Sequence, residues 1–152
     1  MVDSALTDSF VTASRALVGL AVRSIESASV PITVSQHRVL VVLAAEGPHT
    51  VGELAELTGV NQSNASRLCD RLQRFGLVER GRAEHDARVV LVSLTRRGKS
   101  VLDSVTARRR REIARVLSHL SPTQVATLVD ALNAFSDAAH ERDDHEWALA
   151  GW

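Results

Sequence analysis

Leu6, Phe10, Ala13, Leu17, Leu20 or Ala21, and Ala28 recur at helical intervals and define one apolar face. They predict a first helix that Pro31 ends, since proline cannot continue the hydrogen-bond ladder. Thr33-Val-Ser-Gln36 is a capping box, a hydroxyl and an amide three residues apart that satisfy each other's backbone N–H groups. It opens a second helix carrying Val39, Leu40, Val42 and Leu43, which stops at Gly47-Pro48. Thr50-Val-Gly-Glu53 is a second capping box. The helix it starts is short, with Leu54, Ala55 and Leu57 inward, and Thr58-Gly59 breaks it. Asn61 then caps a fourth helix whose apolar stripe is Ala65, Leu68, Cys69, Leu72 and Phe75, closed by Gly76.

Two short helices joined by a tight glycine-containing turn form a helix-turn-helix. After Gly76 the apolar period falls from 3.6 to 2. Residues 77–82 and 88–94 are short β-branched runs that bracket the polar stretch 83–87, which predicts a β-hairpin, or wing. Thr95 caps a long helix to about Leu120, with Leu102, Val105, Ile113, Val116, Leu117 and Leu120 on one side. Gly98 in its first turn is expected to weaken it only slightly. Ser121-Pro-Thr-Gln124 is a third capping box, and it starts a last helix bearing Val125, Leu128, Val129, Leu132 and Phe135. The acidic residues 141–146 and Trp147 either extend that helix or fray.

Charge changes the picture. The chain is formally neutral, yet residues 1–49 carry a net −1, residues 50–111 a net +6 and residues 112–152 a net −5. A polyanion is attracted to the middle segment and repelled by the C-terminal one. The chain's 152 residues suit one domain with a real core. No apolar run approaches the ~20 residues of a membrane span and no basic-then-apolar leader is legible, so a cytoplasmic protein without membrane partners is expected. One cysteine, Cys69, allows neither an intrachain disulfide nor a multi-thiolate zinc site.

The candidate chemistry lies on the fourth helix. With Ala65, Leu68 and Leu72 inward, its front presents Gln62, Ser63, Asn64 and Ser66 in the first turns and Arg67, Arg71 and Arg74 further on. Glutamine and asparagine pair with adenine and arginine with guanine, while the later arginines are better placed for phosphate. A polar front on one amphipathic helix is by itself an ordinary solvated face. The hairpin that follows makes it a recognition helix with a wing. A wing tip that enters a minor groove needs a cation to meet the concentrated negative potential there, and Arg88 supplies one. Asp86 would hold Arg88 or the tip in place, whether or not the pair also acts as a simple turn-stabilising ion pair.

Residues 50–99, with Val-Gly-Glu-Leu-Ala, Asn-Gln-Ser-Asn-Ala-Ser-Arg-Leu, Leu-Gln-Arg-Phe-Gly-Leu-Val-Glu-Arg, Asp86-Ala-Arg88 and Leu94-Thr-Arg-Arg-Gly98, resemble the winged domain of the MarR family. The flanking helices match the family layout too. The resemblance implies a mainly α fold with a small β-hairpin wing, in which a winged helix-turn-helix is flanked by N- and C-terminal dimerisation helices. Residues 1–152 are then one domain, with 6–30 and 100–140 as dimerisation helices and 33–99 as the winged region. It further implies a homodimeric transcriptional regulator, expected to be a repressor on a double-stranded, inverted-repeat operator. A small aromatic or anionic effector would release it. The wing contact carries over to Arg88 and, after it, to Arg82.

Other classes fit less well. An enzyme needs a convergent nucleophile and base, a metal cluster or a phosphate-cradling glycine loop, and none is legible, nor is any cofactor site. A winged-helix protein-interaction module remains an alternative, which the basic front of the fourth helix opposes. So does a metal- or redox-responsive regulator. Cys69 lies on the apolar stripe, where it reads as a small core residue, and the reactive cysteine of the family's peroxide-sensing branch belongs to the first helix, which here has none. His37, His49, His85, His119, His140 and His145 are scattered, with no pair at i, i+4. Arg108 to Arg111 sweep most of a helix circumference, so one solvated face cannot hold all four. Arg109 falls on the line of Leu102, Val105 and Ile113, and the pattern predicts an ion pair for it.

Overall fold

Local capping sets most element boundaries in the computed structural model, which describes residues 3–141. Six helices and one hairpin follow in the order α1 (Ser4–Glu26), α2 (Val34–Glu46), α3 (Val51–Thr58), α4 (Gln62–Arg74), β1 (Val78–Arg82), β2 (Val90–Leu94), α5 (Arg96–Leu117) and α6 (Pro122–Ala138). All three capping boxes form, with reciprocal bonds between Thr33 and Gln36, Thr50 and Glu53, and Ser121 and Gln124. Gly59 ends α3 in the left-handed region (φ 70°), which gives the tight turn between α3 and α4. The reading of 141–146 and Trp147 falls, beyond Glu141, outside the described residues.

α2 is the centre of the core. Val39 to Ala44 are all buried, so this helix is enclosed on every side rather than along one stripe. α3, α4 and α5 pack around it, and their buried residues Leu54, Leu72, Leu102 and Val105 meet it together with Val92 from the hairpin. β1 and β2 pair antiparallel, Val78 opposite Leu94 and Arg82 opposite Val90. His49 adds a single antiparallel bridge to Val92, at the middle of β2. That bridge fastens the wing to the α2–α3 turn.

Several boundaries and orientations differ from expectation. α1 ends at Glu26, well before Pro31, and Ala28 lies beyond it. Ser24 and Ser27 hydroxyls donate to the carbonyls of Ala21 and Ser24, offering the backbone a local alternative, and Val30 is biased out of the helical region by the proline after it. The strands begin at Val78 and Val90 rather than at 77 and 88, which leaves Arg88 in the wing loop. α5 ends at Leu117, not Leu120. Leu57 is exposed, since the buried face of α3 is confined to Leu54 and Ala55, and Leu68 is half-buried. The 23-residue α1 is long and apolar enough by length and composition to span a bilayer, contrary to the sequence reading. Thr7, Ser9, Thr12 and Ser14 fold their hydroxyls back onto its own carbonyls, and its C-terminal part packs against α5 through Leu20, Ser24 and Ile25.

The two terminal helices leave apolar surface uncovered. α6 has no buried residue, and Phe135 stacks on Phe10 of α1 with ring centroids 5.0 Å apart. Between them runs a groove of about 850 Å³ lined by Leu6, Phe10, Leu17, Leu128, Leu132 and Phe135.

A charged junction ties α1 to α5. Glu112 accepts from Arg108 at 2.6 Å and from Arg23 of α1 at 3.3 Å. The Arg108 hydrogen bond, with help from Arg23, holds its carboxyl below the usual carboxylate range. Arg109 donates from Nε to the Ser24 hydroxyl at 3.1 Å, beside the Arg108–Glu112 pair.

Candidate nucleic-acid interface

α4 folds as an amphipathic helix because its apolar residues keep to one face. Ala65, Cys69 and Leu72 are buried, and Asn61 caps the start by accepting the Asn64 N–H at 2.8 Å. The opposite face is polar. Gln62, Ser63, Asn64, Arg67, Arg71 and Arg74 are exposed and Ser66 is half-buried, so the sequence-predicted front is brought together on one surface. Among the described residues no side-chain hydrogen bond or ion pair engages Gln62, Ser63, Arg67 or Arg74. Arg71 lies with its guanidinium 6.0 Å from the Phe75 ring centre, an exposed cation–π contact that turns it toward the end of the helix. Burial raises the Cys69 thiol pKa, which suits a core residue rather than a reactive thiolate.

The wing is built largely by its own backbone. Gly76 takes φ 71°, reversing the chain so that Leu77 and Val78 enter the core and β1 starts beneath α4. At the tip, Asp86 Oδ1 accepts the Arg88 N–H at 2.9 Å and the Asp86 carbonyl accepts the Val89 N–H at 3.0 Å. Asp86 therefore shapes the turn through Arg88's backbone, not through an ion pair with its guanidinium. Arg82 Nη1 donates to the Ala87 carbonyl at 3.1 Å and braces the loop from its other side. The Arg88 side chain is exposed and, among the described residues, has no partner. The tip is a turn held by Asp86 and Arg82 that presents one unengaged cation.

Sequence reasoning missed two features. Arg80 of β1 reaches back to α4, its Nη2 2.7 Å from Asp70 Oδ1 and its Nη1 2.6 Å from Gln73 Oε1. The spacing of Asp70 and Gln73, one helical turn, marks a shared helix face, but nothing local tells which strand residue meets it. The second is Thr95 with Gly98. The Thr95 hydroxyl accepts the Gly98 N–H at 3.0 Å and donates to the Gly76 carbonyl at 2.7 Å, joining the end of α4 to the start of α5. Gly98 is required there by close approach, since a Cβ would overlap the Leu77 carbonyl oxygen and lie 2.7 Å from Leu94 Cδ1.

His37 of α2 is buried, with an Nε2 that finds no hydrogen-bond partner among the described residues. Desolvation lowers its pKa to about 4, and the Arg109 and Arg38 charges add to the shift. It stays neutral near pH 7. No group of three or more histidine, cysteine, aspartate or glutamate side chains is placed to hold a metal among the described residues.

Residues 30–89 match the model of the MarR family. The chain is 32% identical over 107 residues to the HTH-type transcriptional regulator YfiV of Bacillus subtilis, covering 70% of this chain and 67% of that one. It is 31% identical over 115 residues to the HTH-type transcriptional repressor MdtR of the same organism, covering 76% and 74%. Among solved structures it is similar to that of RV1404 from Mycobacterium tuberculosis, with 39% identity, a TM-score of 0.87 and coverage of 95% of this chain and 99% of that one. A MarR family protein from Bacillus stearothermophilus gives 28% identity, a TM-score of 0.77 and coverage of 93% and 100%. With its helix-turn-helix, its two-stranded wing and these relatives, the chain belongs to the MarR family of helix-turn-helix transcriptional regulators.

Proposed function

We propose that this regulator binds duplex DNA sequence-specifically as a homodimer, with α4 in the major groove and the wing tip in the adjacent minor groove. Gln62, Ser63, Asn64, Ser66 and Arg67 face base edges, and Arg71 and Arg74 face phosphates. Arg88 enters the minor groove, while Asp86 and Arg82 hold the tip that carries it. The observation that carries this reading is the row of exposed cations, Arg67, Arg71 and Arg74 on α4 and Arg88 beside it, on a surface whose other face is core. A cationic, outward-facing front suits a polyanion.

The homodimer rests on the uncovered α1–α6 groove, since contiguous apolar surface of that kind marks an interface. A two-fold dimer reads an inverted repeat, with half-sites about one helical turn apart. Occupying a promoter represses it, and the chain works in the cytoplasm, where bacterial relatives meet DNA. A small aromatic or anionic ligand between the dimer helices and the winged lobe would release it by binding one separation of the two α4 helices better than the other. Selection of bound sequences from a random duplex pool tests the reading. The expected product is an inverted repeat, and Arg67→Ala should cost ~1–3 kcal/mol on it and relax one position. Equal loss on every sequence would reduce Arg67 to a phosphate contact, and no enrichment at all would refute sequence-specific binding.

A further inference from the structure

We propose that Arg80 is a positioning residue: by joining Asp70 and Gln73 it fixes the wing against α4 at the angle DNA binding requires, without itself touching DNA. The inference rests on the DNA-binding reading above and deepens it. Arg80 uses two different amino groups on two acceptors one helical turn apart, at 2.7 Å and 2.6 Å. A planar guanidinium held at two points sets an orientation as well as a distance, which a lysine ammonium cannot do. Its backbone is equally fixed. Arg80 pairs across the hairpin with Val92, which is fully buried and bonded in turn to His49. The link therefore runs from a strand anchored in the core to the C-terminal half of α4.

Stability does not account for it. The Asp70 side chain is 52% exposed, so water and salt screen its half of the pair and the bond adds little to folding. Charge points the same way. Asp70 is a carboxylate set among Arg67, Arg71 and Arg74 on the helix face meant for a polyanion, where an anion weakens attraction unless it serves another purpose. Holding Arg80 is that purpose. It also occupies the Arg80 guanidinium, leaving Arg67, Arg74 and Arg88 as the cations of this surface without a partner among the described residues. Because α4 and the wing engage different grooves, the second contact is made at an effective concentration set by their relative placement, and loosening the link lowers it.

Asp70→Asn separates the two roles by sign. Affinity is measured across a salt series for the intact protein on a duplex that the unaltered protein selects from a random pool. If Asp70 only sits near DNA, removing its charge tightens binding. If it positions the wing, binding weakens roughly three- to tenfold, ~1 kcal/mol, with the slope of log K against log salt unchanged. Arg80→Gln should weaken binding by a similar factor at unchanged slope, and the double variant should be no worse than either single one. Equal or tighter binding by Asp70→Asn overturns the proposal. So does a slope reduced by about one in Arg80→Gln, the mark of a lost phosphate contact. Should Arg80→Gln fail to fold in a thermal melt, Asp70→Asn decides alone, since its half-exposed side chain keeps its shape. Failure of the unaltered protein to select any duplex would instead defeat the DNA reading on which the proposal stands.

Discussion

Gly98→Ala is a substitution for which helix propensity and tertiary structure give opposite signs. Gly98 lies in the first turn of α5, and on propensity alone alanine should stabilise that helix by up to about 1 kcal/mol. The structure opposes this. The new Cβ would overlap the Leu77 carbonyl oxygen and come within 2.7 Å of Leu94 Cδ1. A flexible side chain could turn away, but a carbonyl cannot move without the backbone, and this one accepts the Thr95 N–H at 3.1 Å. Relieving the overlap means sliding α5 off the base of the hairpin. Overpacking of a tight core contact costs ~1–3 kcal/mol, and a weakened Thr95 hydrogen bond about 1 more. Set against the propensity gain, a net destabilisation of roughly 1–3 kcal/mol is expected. Urea unfolding at one fixed protein concentration measures it, because association would otherwise shift the midpoint. A variant as stable as the parent, or more so, would refute the close-approach reasoning.

Arg88→Ala should weaken DNA binding while leaving the thermal unfolding midpoint almost unmoved, because the exposed guanidinium has no partner among the described residues; a variant that melts early would make Arg88 structural. His37 gives a pH dependence of definite sign: its folded pKa of about 4 lies below the ordinary 6.5, so between those values the unfolded chain binds more protons and stability falls as pH drops. The loss amounts to about 3 kcal/mol by the acid end of that window, is absent above it, and should vanish from the stability profile of His37→Leu. Leu132→Asp, which places a charge in the α1–α6 groove, should abolish dimers in sedimentation and yield an aggregating or unfolded species. A compact, soluble monomer of the intact protein at micromolar concentration would overturn the dimer and the two-fold operator together.

What could be read from the sequence and what could not divide by range. Thr33 with Gln36, Thr50 with Glu53 and Ser121 with Gln124 are signals three residues apart, and each produced the helix start it implied. The front of α4 was legible for the same reason, since helical period alone places Gln62 to Arg74 against Ala65, Cys69 and Leu72. Leu57 was misjudged because period says which residues share a face, whereas burial depends on how wide a neighbouring element covers it. Arg80 and Asp70 are ten positions apart, Gly98 and Leu77 twenty-one, Arg23 and Glu112 eighty-nine. In each the decisive partner lies on another element, and the meaning of the residue appears only after both are placed. Gly98 is the sharpest case: as a local signal it weakens a helix, and as a contact it is what allows α5 to start against the hairpin. The apolar stripe of α6 falls between these extremes. Phe135 and Leu132 are visible in sequence as a face that needs cover, and the fold leaves them 53% and 41% exposed. An isolated subunit that folded this way would keep that face in water, at a cost of roughly 25 cal/mol for each Å² that a partner could bury. Among the described residues no other helix covers that face. In the proposed homodimer a second copy would supply that cover with the same groove and the same stacked Phe10 and Phe135, which is the self-complementarity a two-fold interface requires.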